Sequence, residues 1–182
     1  AAVALARGTV DALAAAGLSC DIVGGAGTGT FETEATSGVY NELQAGSYVF
    51  MDADYIQNKR ADGHQESRFR PALFVLTAVM SNPTPDRFVL DAGHKTCAID
   101  SGPPYAFDLP GAITCSLTDE HTVLDLTAVK NRPKWGGHVL LIPGHCDPTV
   151  NLHDNYICVR NLHTSNAIVE EIWPVAGRGA YN

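Results

Sequence analysis

The residue types best suited to chemistry stand together in residues 143–149, directly after an apolar run that ends at Ile142. This segment places an imidazole, a thiol and a carboxylate side by side, as His145, Cys146 and Asp147. Side chains alternate between the faces of a strand, so a strand here would turn His145 and Asp147 to one face and Cys146 to the other. A histidine nitrogen and an aspartate oxygen on one face can share a divalent cation. The flanking prolines equally allow a simple turn, and both interpretations stay open at this point.

Size and charge limit the classes of protein to consider. The chain has 182 residues, of which 45% are hydrophobic and 18% charged, a composition typical of one large globular domain or of a domain and a half. The formal net charge is -8, and the 12 Lys and Arg residues are scattered, so nucleic acid is not an expected partner. No apolar stretch reaches the roughly 18 to 20 residues that span a bilayer, so a membrane is not expected either.

The cysteines indicate a reducing compartment. They are odd in number, widely spaced and without a CxxC pair, which gives no support to a zinc knuckle or a thioredoxin-type site. Reduced thiols in a cytosolic protein are the simplest interpretation, and we therefore predict a cytoplasmic location. The five positions are Cys20, Cys97, Cys115, Cys146 and Cys158.

Two kinds of secondary-structure pattern divide the chain. Residues 3–16 are rich in Ala and Leu at helical spacing, residues 20–23 are typical of a short strand, and a glycine-rich loop follows at 24–31. This order indicates the closing units of an α/β barrel or of a doubly wound sheet. After about residue 38, short apolar runs separated by turn-forming residues predict a mainly antiparallel β domain, so we divide the chain into residues 1–38 and 39–182. The runs are residues 48–51, 72–80, 87–90, 112–117, 123–126, 138–142, 156–160 and 167–173.

The glycine-rich loop has the composition of an anion site. Small residues at Gly25, Gly27 and Gly29 let the backbone turn sharply and expose successive N–H groups, and the Thr28 hydroxyl adds a donor. In such a concavity, backbone dipoles rather than Lys or Arg would meet the charge of a phosphate. The loop lacks the lysine of a P-loop and the full spacing of the dinucleotide fingerprint. A flexible strand-to-helix turn explains the same residues, so this alternative stays open as well.

Three segments together indicate a family more specifically than any one alone. They are residues 24–30 (GGAGTGT), 42–52 (ELQAGSYVFMD) and 143–152 (PGHCDPTVNL). In this order they resemble the C-terminal half of the D-threonine aldolase and D-serine dehydratase family, and the match runs through essentially the whole chain. Three separated motifs in one order are far more specific than any one of them.

The resemblance implies a pyridoxal-phosphate enzyme of the alanine-racemase-like type, which has an N-terminal α/β barrel that carries the cofactor and a C-terminal β domain, and which usually pairs as a homodimer. On that mapping, residues 1–38 are the C-terminal end of the barrel and residues 39–182 are the β domain with the metal site. His145 and Asp147 would hold a divalent metal (Mn²⁺, Mg²⁺ or Zn²⁺) and take part in catalysis through it. The cofactor phosphate would be held by Gly25, Gly27, Thr28 and Gly29.

The motif also bears on the reaction. In related dehydratases the second metal ligand is a cysteine two residues after the histidine, whereas Asp147 stands at that position here and looks like the aldolase pattern. The resemblance therefore implies a lyase that cleaves a D-3-hydroxy amino acid, D-threonine, to glycine and acetaldehyde. Two alternatives remain: a dehydratase-like lyase acting on D-serine or D-3-hydroxyaspartate, and a non-catalytic fragment or subunit that binds a metal.

One expected residue has no match in this chain. The family's Schiff-base lysine lies near the start of the barrel, and none of the lysines here occupies a barrel-strand position. Because the chain also begins without Met, we expect it to be the later part of a longer polypeptide or a processed product that needs an N-terminal barrel segment. The lysines are Lys59, Lys95, Lys130 and Lys134.

Overall fold

In a computed structural model of the protein, two stretches of the chain each form a compact unit, Ala1–Ala72 and Leu73–Asn182. The structure describes residues 1–59, 62–64, 68–162 and 164–179. The functional division between residues 38 and 39 stays a prediction. Of the helices in the described residues, none combines the length and the hydrophobicity needed to cross a membrane.

The first unit begins with the predicted helix. Helix α1 spans Ala2–Ala15, an Ala-rich sequence with strong intrinsic helix propensity. Two residues after its end, Gly17 has a positive φ of 76° that lets the chain reverse, and the Leu18 N–H then donates to the Leu13 carbonyl at 3.0 Å. The sequence-based helix over residues 3–16 is therefore confirmed to within one residue at each end.

The rest of this unit is a small parallel arrangement, in which a strand, a short helix and a second strand follow in order. The elements are β1 (Gly24–Gly25), α2 (Phe31–Ala35), β2 (Glu42–Leu43) and two 3₁₀ turns at Ser47–Val49 and Tyr55–Gln57. Strands β1 and β2 pair in parallel.

Two short strands predicted in this unit are wrong. Residues 20–23 form no strand, and the backbone there bonds to a side chain: Val23 N–H donates to Asn41 Oδ1 at 2.8 Å, and Asn41 Nδ2 donates to the Asp21 carbonyl at 2.8 Å. Residues 48–51 begin in a 3₁₀ turn and end at Met51, which has a left-handed φ of 54°. Apolar composition alone does not separate a strand from a buried turn of this kind.

The second unit is built on one antiparallel sheet, as the spacing of short apolar runs predicts. Its spatial order is β5-β8-β3-β4-β7-β6, and every neighbouring pair is antiparallel. The two edge strands approach each other, because the Thr114 hydroxyl of β6 donates to the carbonyl of Pro104, just before β5, at 2.7 Å. The sheet is thereby nearly closed into a barrel. The strands are β3 (Val75–Thr84), β4 (Arg87–Leu90), β5 (Tyr105–Ala106), β6 (Ile113–Leu117), β7 (Thr122–Asp125) and β8 (His138–Ile142).

The hydrophobic core lies inside this sheet. It includes Phe88, Leu90, Leu124 and Leu141, all less than 4% exposed. Strand β8 is buried along nearly its whole length, since residues 139–142 are all at most 9% exposed, and it leads directly into the segment with His145. A strand fixed on both faces gives the following residues a defined starting point.

Helix α3 (Cys146–Val150) follows β8, and a two-stranded antiparallel ribbon, β9 (Asn155–Arg160) and β10 (Ile168–Pro174), completes the described chain. Cys97 belongs to the core next to this region and is fully buried. Burial raises the pKa of its thiol to about 11, so Cys97 behaves as a small apolar residue rather than as a nucleophile.

Candidate functional site

The glycine-rich loop lies in the first unit, between β1 and α2. Ala26 has a φ of 68°, in the left-handed region, so the backbone turns sharply between Gly25 and Gly27. Neighbouring side chains lie close to two of the glycines. A Cβ at Gly25 would lie 2.5 Å from the Tyr40 ring, and a Cβ at Gly29 would lie 2.6 Å from the Asn58 amide.

The loop presents a row of hydrogen-bond donors. Within the part of the chain that the structure describes, the N–H groups of Gly27, Thr28 and Gly29 have no acceptor. The Thr28 side chain is 3% exposed, and its hydroxyl oxygen accepts the Tyr48 N–H at 2.9 Å, which leaves the hydroxyl hydrogen to donate. Unpaired N–H groups on three successive residues, beside the buried Thr28 hydroxyl, fit the oxygens of a phosphate group.

Two cations border the same loop, and the sequence-based prediction that only dipoles would meet the ligand's charge did not include them. A small cavity beside Thr28 and Gly29 is also lined by Tyr55, Lys59 and Arg68. The Arg68 guanidinium is paired with Glu32 at 3.0 Å and lies 5.0 Å from the centre of the Phe31 ring. Neither cation follows the loop at a motif spacing, so no pattern in the sequence could indicate them.

The segment with His145 does not continue the strand, and the predicted alternation of side chains is wrong. Strand β8 ends at Ile142, and His145 has extended backbone angles as the residue that precedes helix α3. Pro148 falls in the first turn of that helix, where a missing N–H costs nothing. The run is therefore a helix start and not a strand end.

His145 and Asp147 nevertheless lie close together. Their nearest ring nitrogen and carboxylate oxygen, Nε2 and Oδ2, are 3.8 Å apart. Two ligand atoms that each bond a metal at about 2.1 Å can lie up to about 4.2 Å apart, so this separation fits a shared cation. The side chains are 27% and 70% exposed, which leaves the pair accessible to small molecules.

Cys146 is placed differently from its neighbours. It is fully buried, and its thiol donates a hydrogen bond to Asp147 Oδ1 at 3.2 Å. This bond occupies the Asp147 oxygen other than the one nearest His145. Among residues 1–59, 62–64, 68–162 and 164–179, no group of three or more His, Cys, Asp or Glu side chains could hold a metal ion. The assignment of His145 and Asp147 as a two-residue metal site stays a prediction.

A second carboxylate contacts the imidazole, and sequence reasoning missed it. Asp100 Oδ2 lies 2.5 Å from His145 Nδ1. The hydrogen bond from His145 lowers the pKa of the Asp100 carboxyl below its usual value. The two residues are 45 positions apart, and only the fold brings them together.

Comparisons with known proteins relate this chain to one group of enzymes. Residues 72–159 match the family model described as "Putative serine dehydratase domain". The D-threonine aldolase of an Arthrobacter species is 46% identical over 163 residues, which are 90% of this chain and 41% of that protein. The 3-hydroxy-D-aspartate aldolase of Paracoccus denitrificans is 44% identical, over 98% of this chain and 45% of its own length.

Solved structures agree with the sequence comparisons. The D-threonine aldolase of Filomicrobium marinum matches with a TM-score of 0.87 and 44% identity, covering 100% of this chain and 47% of that one. An alanine-racemase-like protein of Idiomarina loihiensis matches with a TM-score of 0.68 and 22% identity, over 92% of this chain and 47% of that one, which shows the fold alone. The resemblance read from the sequence and the predicted fold class are confirmed. The chain spans about half the length of the relatives that it matches.

Proposed function

The chain belongs to the D-threonine aldolase and D-serine dehydratase-like family, and on that premise we propose that it forms part of a D-3-hydroxy amino acid aldolase. The proposed reaction cleaves D-threonine to glycine and acetaldehyde, with pyridoxal phosphate and a divalent cation as cofactors. The observation that carries this proposal is the 44 to 46% identity to aldolases over 90 to 98% of the chain. The presence of Asp147 at the second ligand position also supports the aldolase.

The proposed role of the glycine-rich loop is to bind the phosphate of the cofactor. The N–H groups of Gly27, Thr28 and Gly29 would donate to its oxygens, the Thr28 hydroxyl would add a fourth donor, and the Gly25 turn would shape the concavity. When bound, pyridoxal phosphate supplies an electron-accepting ring that stabilises the negative charge left at Cα as a bond to that carbon breaks. None of Lys59, Lys95, Lys130 and Lys134 is assigned to a covalent bond with the cofactor.

The loop assignment gives a first expected result. Replacing Thr28 with valine removes a buried hydroxyl, so we expect the affinity of the full-length apoenzyme for pyridoxal phosphate to fall about tenfold, in line with about 1.4 kcal/mol for one lost hydrogen bond. Titration by quenching of protein fluorescence measures this. Thr28→Ser should keep nearly full affinity because it keeps the hydroxyl, and Thr36→Val removes an exposed hydroxyl as the control. An unchanged affinity in Thr28→Val would contradict the assignment.

The proposed role of His145 and Asp147 is to hold the cation, His145 through Nε2 and Asp147 through Oδ2. The hydrogen bond from Cys146 engages the other Asp147 oxygen and would orient the carboxylate for this task. When bound, a divalent cation supplies positive charge that favours loss of the proton from the substrate's 3-hydroxyl group. An oxygen ligand favours Mn²⁺ or Mg²⁺, while the imidazole also suits Zn²⁺.

A product assay tests the function itself. The full-length protein is incubated with D-threonine, pyridoxal phosphate and Mn²⁺. We expect glycine and acetaldehyde in equal amounts. Release of 2-oxobutyrate and ammonia would instead establish the dehydratase. The match of residues 72–159 to a putative serine dehydratase domain supports testing this alternative. Absence of both product pairs would favour a non-catalytic, metal-binding subunit. A homodimer and a cytoplasmic location remain part of the proposal.

A further inference from the structure

The His145 ring lies between two carboxylates, one at each nitrogen. Asp100 Oδ2 is 2.5 Å from Nδ1, so the carboxylate is in direct hydrogen-bond contact with that nitrogen. Asp147 Oδ2 is 3.8 Å from Nε2. The two carboxylates are not equivalent. Asp100 is in hydrogen-bond contact with the ring, whereas Asp147 lies at a distance that allows it and His145 to bind one cation between them.

The loop that carries Asp100 is fastened to the His145 segment through a buried threonine. The Ala98 N–H donates to Thr149 Oγ1 at 3.0 Å, and the same hydroxyl donates to the His145 carbonyl at 2.7 Å. Thr149 is 1% exposed, so water does not compete for these bonds. One side chain therefore ties the backbone before Asp100 to the backbone of His145 itself.

A direct backbone contact holds the other end of the same loop. The Gly102 carbonyl approaches Gly144 so closely that a Cβ at residue 144 would lie 1.8 Å from the oxygen. The Gly102 N–H also donates to the Ile99 carbonyl at 3.0 Å, which closes the turn around Asp100. Asp100 is thus held over the imidazole by contacts on both sides of it, in addition to its own hydrogen bond.

An exposed ion pair by itself would explain little of this arrangement. The Asp100 side chain is 54% exposed, and isolated pairs at such positions contribute little to stability. A loop that is tied at both ends and carries one carboxylate onto one ring nitrogen has a more specific consequence. It determines which nitrogen of the ring carries the hydrogen and where the ring points.

We propose that Asp100 is a positioning residue that holds His145 with its hydrogen on Nδ1 and presents Nε2, on the side of Asp147, to a divalent cation. The inference rests on the proposed metal role of His145 and Asp147. A neutral imidazole with hydrogen on Nδ1 has its lone pair on Nε2, the atom needed for coordination. The carboxylate partner also makes that nitrogen a better ligand, and loss of such a partner typically lowers metal affinity about 10- to 100-fold.

The test is a titration of the full-length, metal-free protein with Mn²⁺ alone, in which electron paramagnetic resonance reports the free ion. We expect Asp100→Ala to bind Mn²⁺ about 10- to 100-fold more weakly than the wild type. Asp100→Asn should lose less, because its amide oxygen still accepts the hydrogen from Nδ1. His145→Ala should lose the site. Asp119→Asn removes an exposed carboxylate in the turn between β6 and β7 and should bind as the wild type does.

The outcomes separate this inference from the function on which it rests. If His145→Ala abolishes Mn²⁺ binding but Asp100→Ala binds as the wild type does, the positioning role is overturned and the metal site stands. If the wild type and His145→Ala bind Mn²⁺ equally, or neither binds it, the positioning role of Asp100 and the metal site at His145 and Asp147 are both overturned. Equal losses in Asp100→Ala and Asp100→Asn, together with a lower melting temperature, would assign Asp100 a structural role instead and overturn the inference as well.

Discussion

Replacing His145 with alanine is expected to lower kcat/KM for D-threonine cleavage about 10³-fold in the full-length protein. A catalytic cation stabilises developing charge by several kcal/mol, and each 1.36 kcal/mol corresponds to about a tenfold change in rate. The imidazole supplies one of the two proposed protein ligands, so its loss should release the cation. Steady-state assay of acetaldehyde measures the effect. The remaining activity should no longer respond to a chelator.

The control for this experiment is His121→Ala. His121 lies in the turn before β7 and contributes its backbone groups to that turn, so removal of its ring should leave activity near that of the wild type. Wild-type protein treated with a chelator should resemble His145→Ala, and added Mn²⁺ should restore only the wild type. Full activity in chelator-treated His145→Ala would remove the cation from the proposed mechanism.

Gly144→Ala is expected to destabilise the protein by about 2 to 4 kcal/mol, because the added methyl group would overlap backbone that cannot rotate away. The new Cβ would lie 1.8 Å from the Gly102 oxygen and 3.2 Å from the Ala98 oxygen, both of them main-chain atoms. Relief of this overlap requires movement of the loop with Asp100, so Mn²⁺ affinity should fall as well. Urea unfolding of the full-length protein measures the stability.

Gly46→Ala provides the matched control, since a Cβ at Gly46 meets no atom within 4 Å and the residue has a φ of -120°. It should change the free energy of unfolding by no more than about 0.5 kcal/mol. A Gly144→Ala protein as stable as Gly46→Ala would contradict the close packing between the two loops. If Gly144→Ala is as stable as Gly46→Ala and also binds Mn²⁺ as the wild type does, this would count against the positioning role proposed for Asp100.

The parts of the fold with regular patterns could be predicted from the sequence. Strands β4 and β8 begin and end at the predicted residues, because alternating or continuous burial gives short apolar runs with clear turns on both sides. The prediction of a strand at residues 20–23 was wrong because the Asn41 side chain hydrogen-bonds the backbone there in place of a neighbouring strand. The prediction of a strand end at residues 145–147 was wrong because Pro148 fits the first turn of a helix as readily as it ends a strand.

The candidate site divides in the same way. His145 and Asp147 could be singled out because they are neighbours in sequence, and their 3.8 Å separation needs only one turn of backbone. Asp100 and Arg68 could not, since they meet His145 and Glu32 across 45 and 36 residues of chain. Contacts of that range are set by sheet order and loop packing, and no local spacing encodes them.

The bond between Thr114 and Pro104 has a consequence for the edges of the six-stranded sheet. Open sheet edges invite other chains to add strands, which leads to fibres and amorphous aggregates. Here the edge strand β5 has two residues, and the opposite edge is fastened to the chain beside it, so neither side offers a long template. A single hydroxyl thus limits strand addition at the edges of this sheet as well as bringing those edges together.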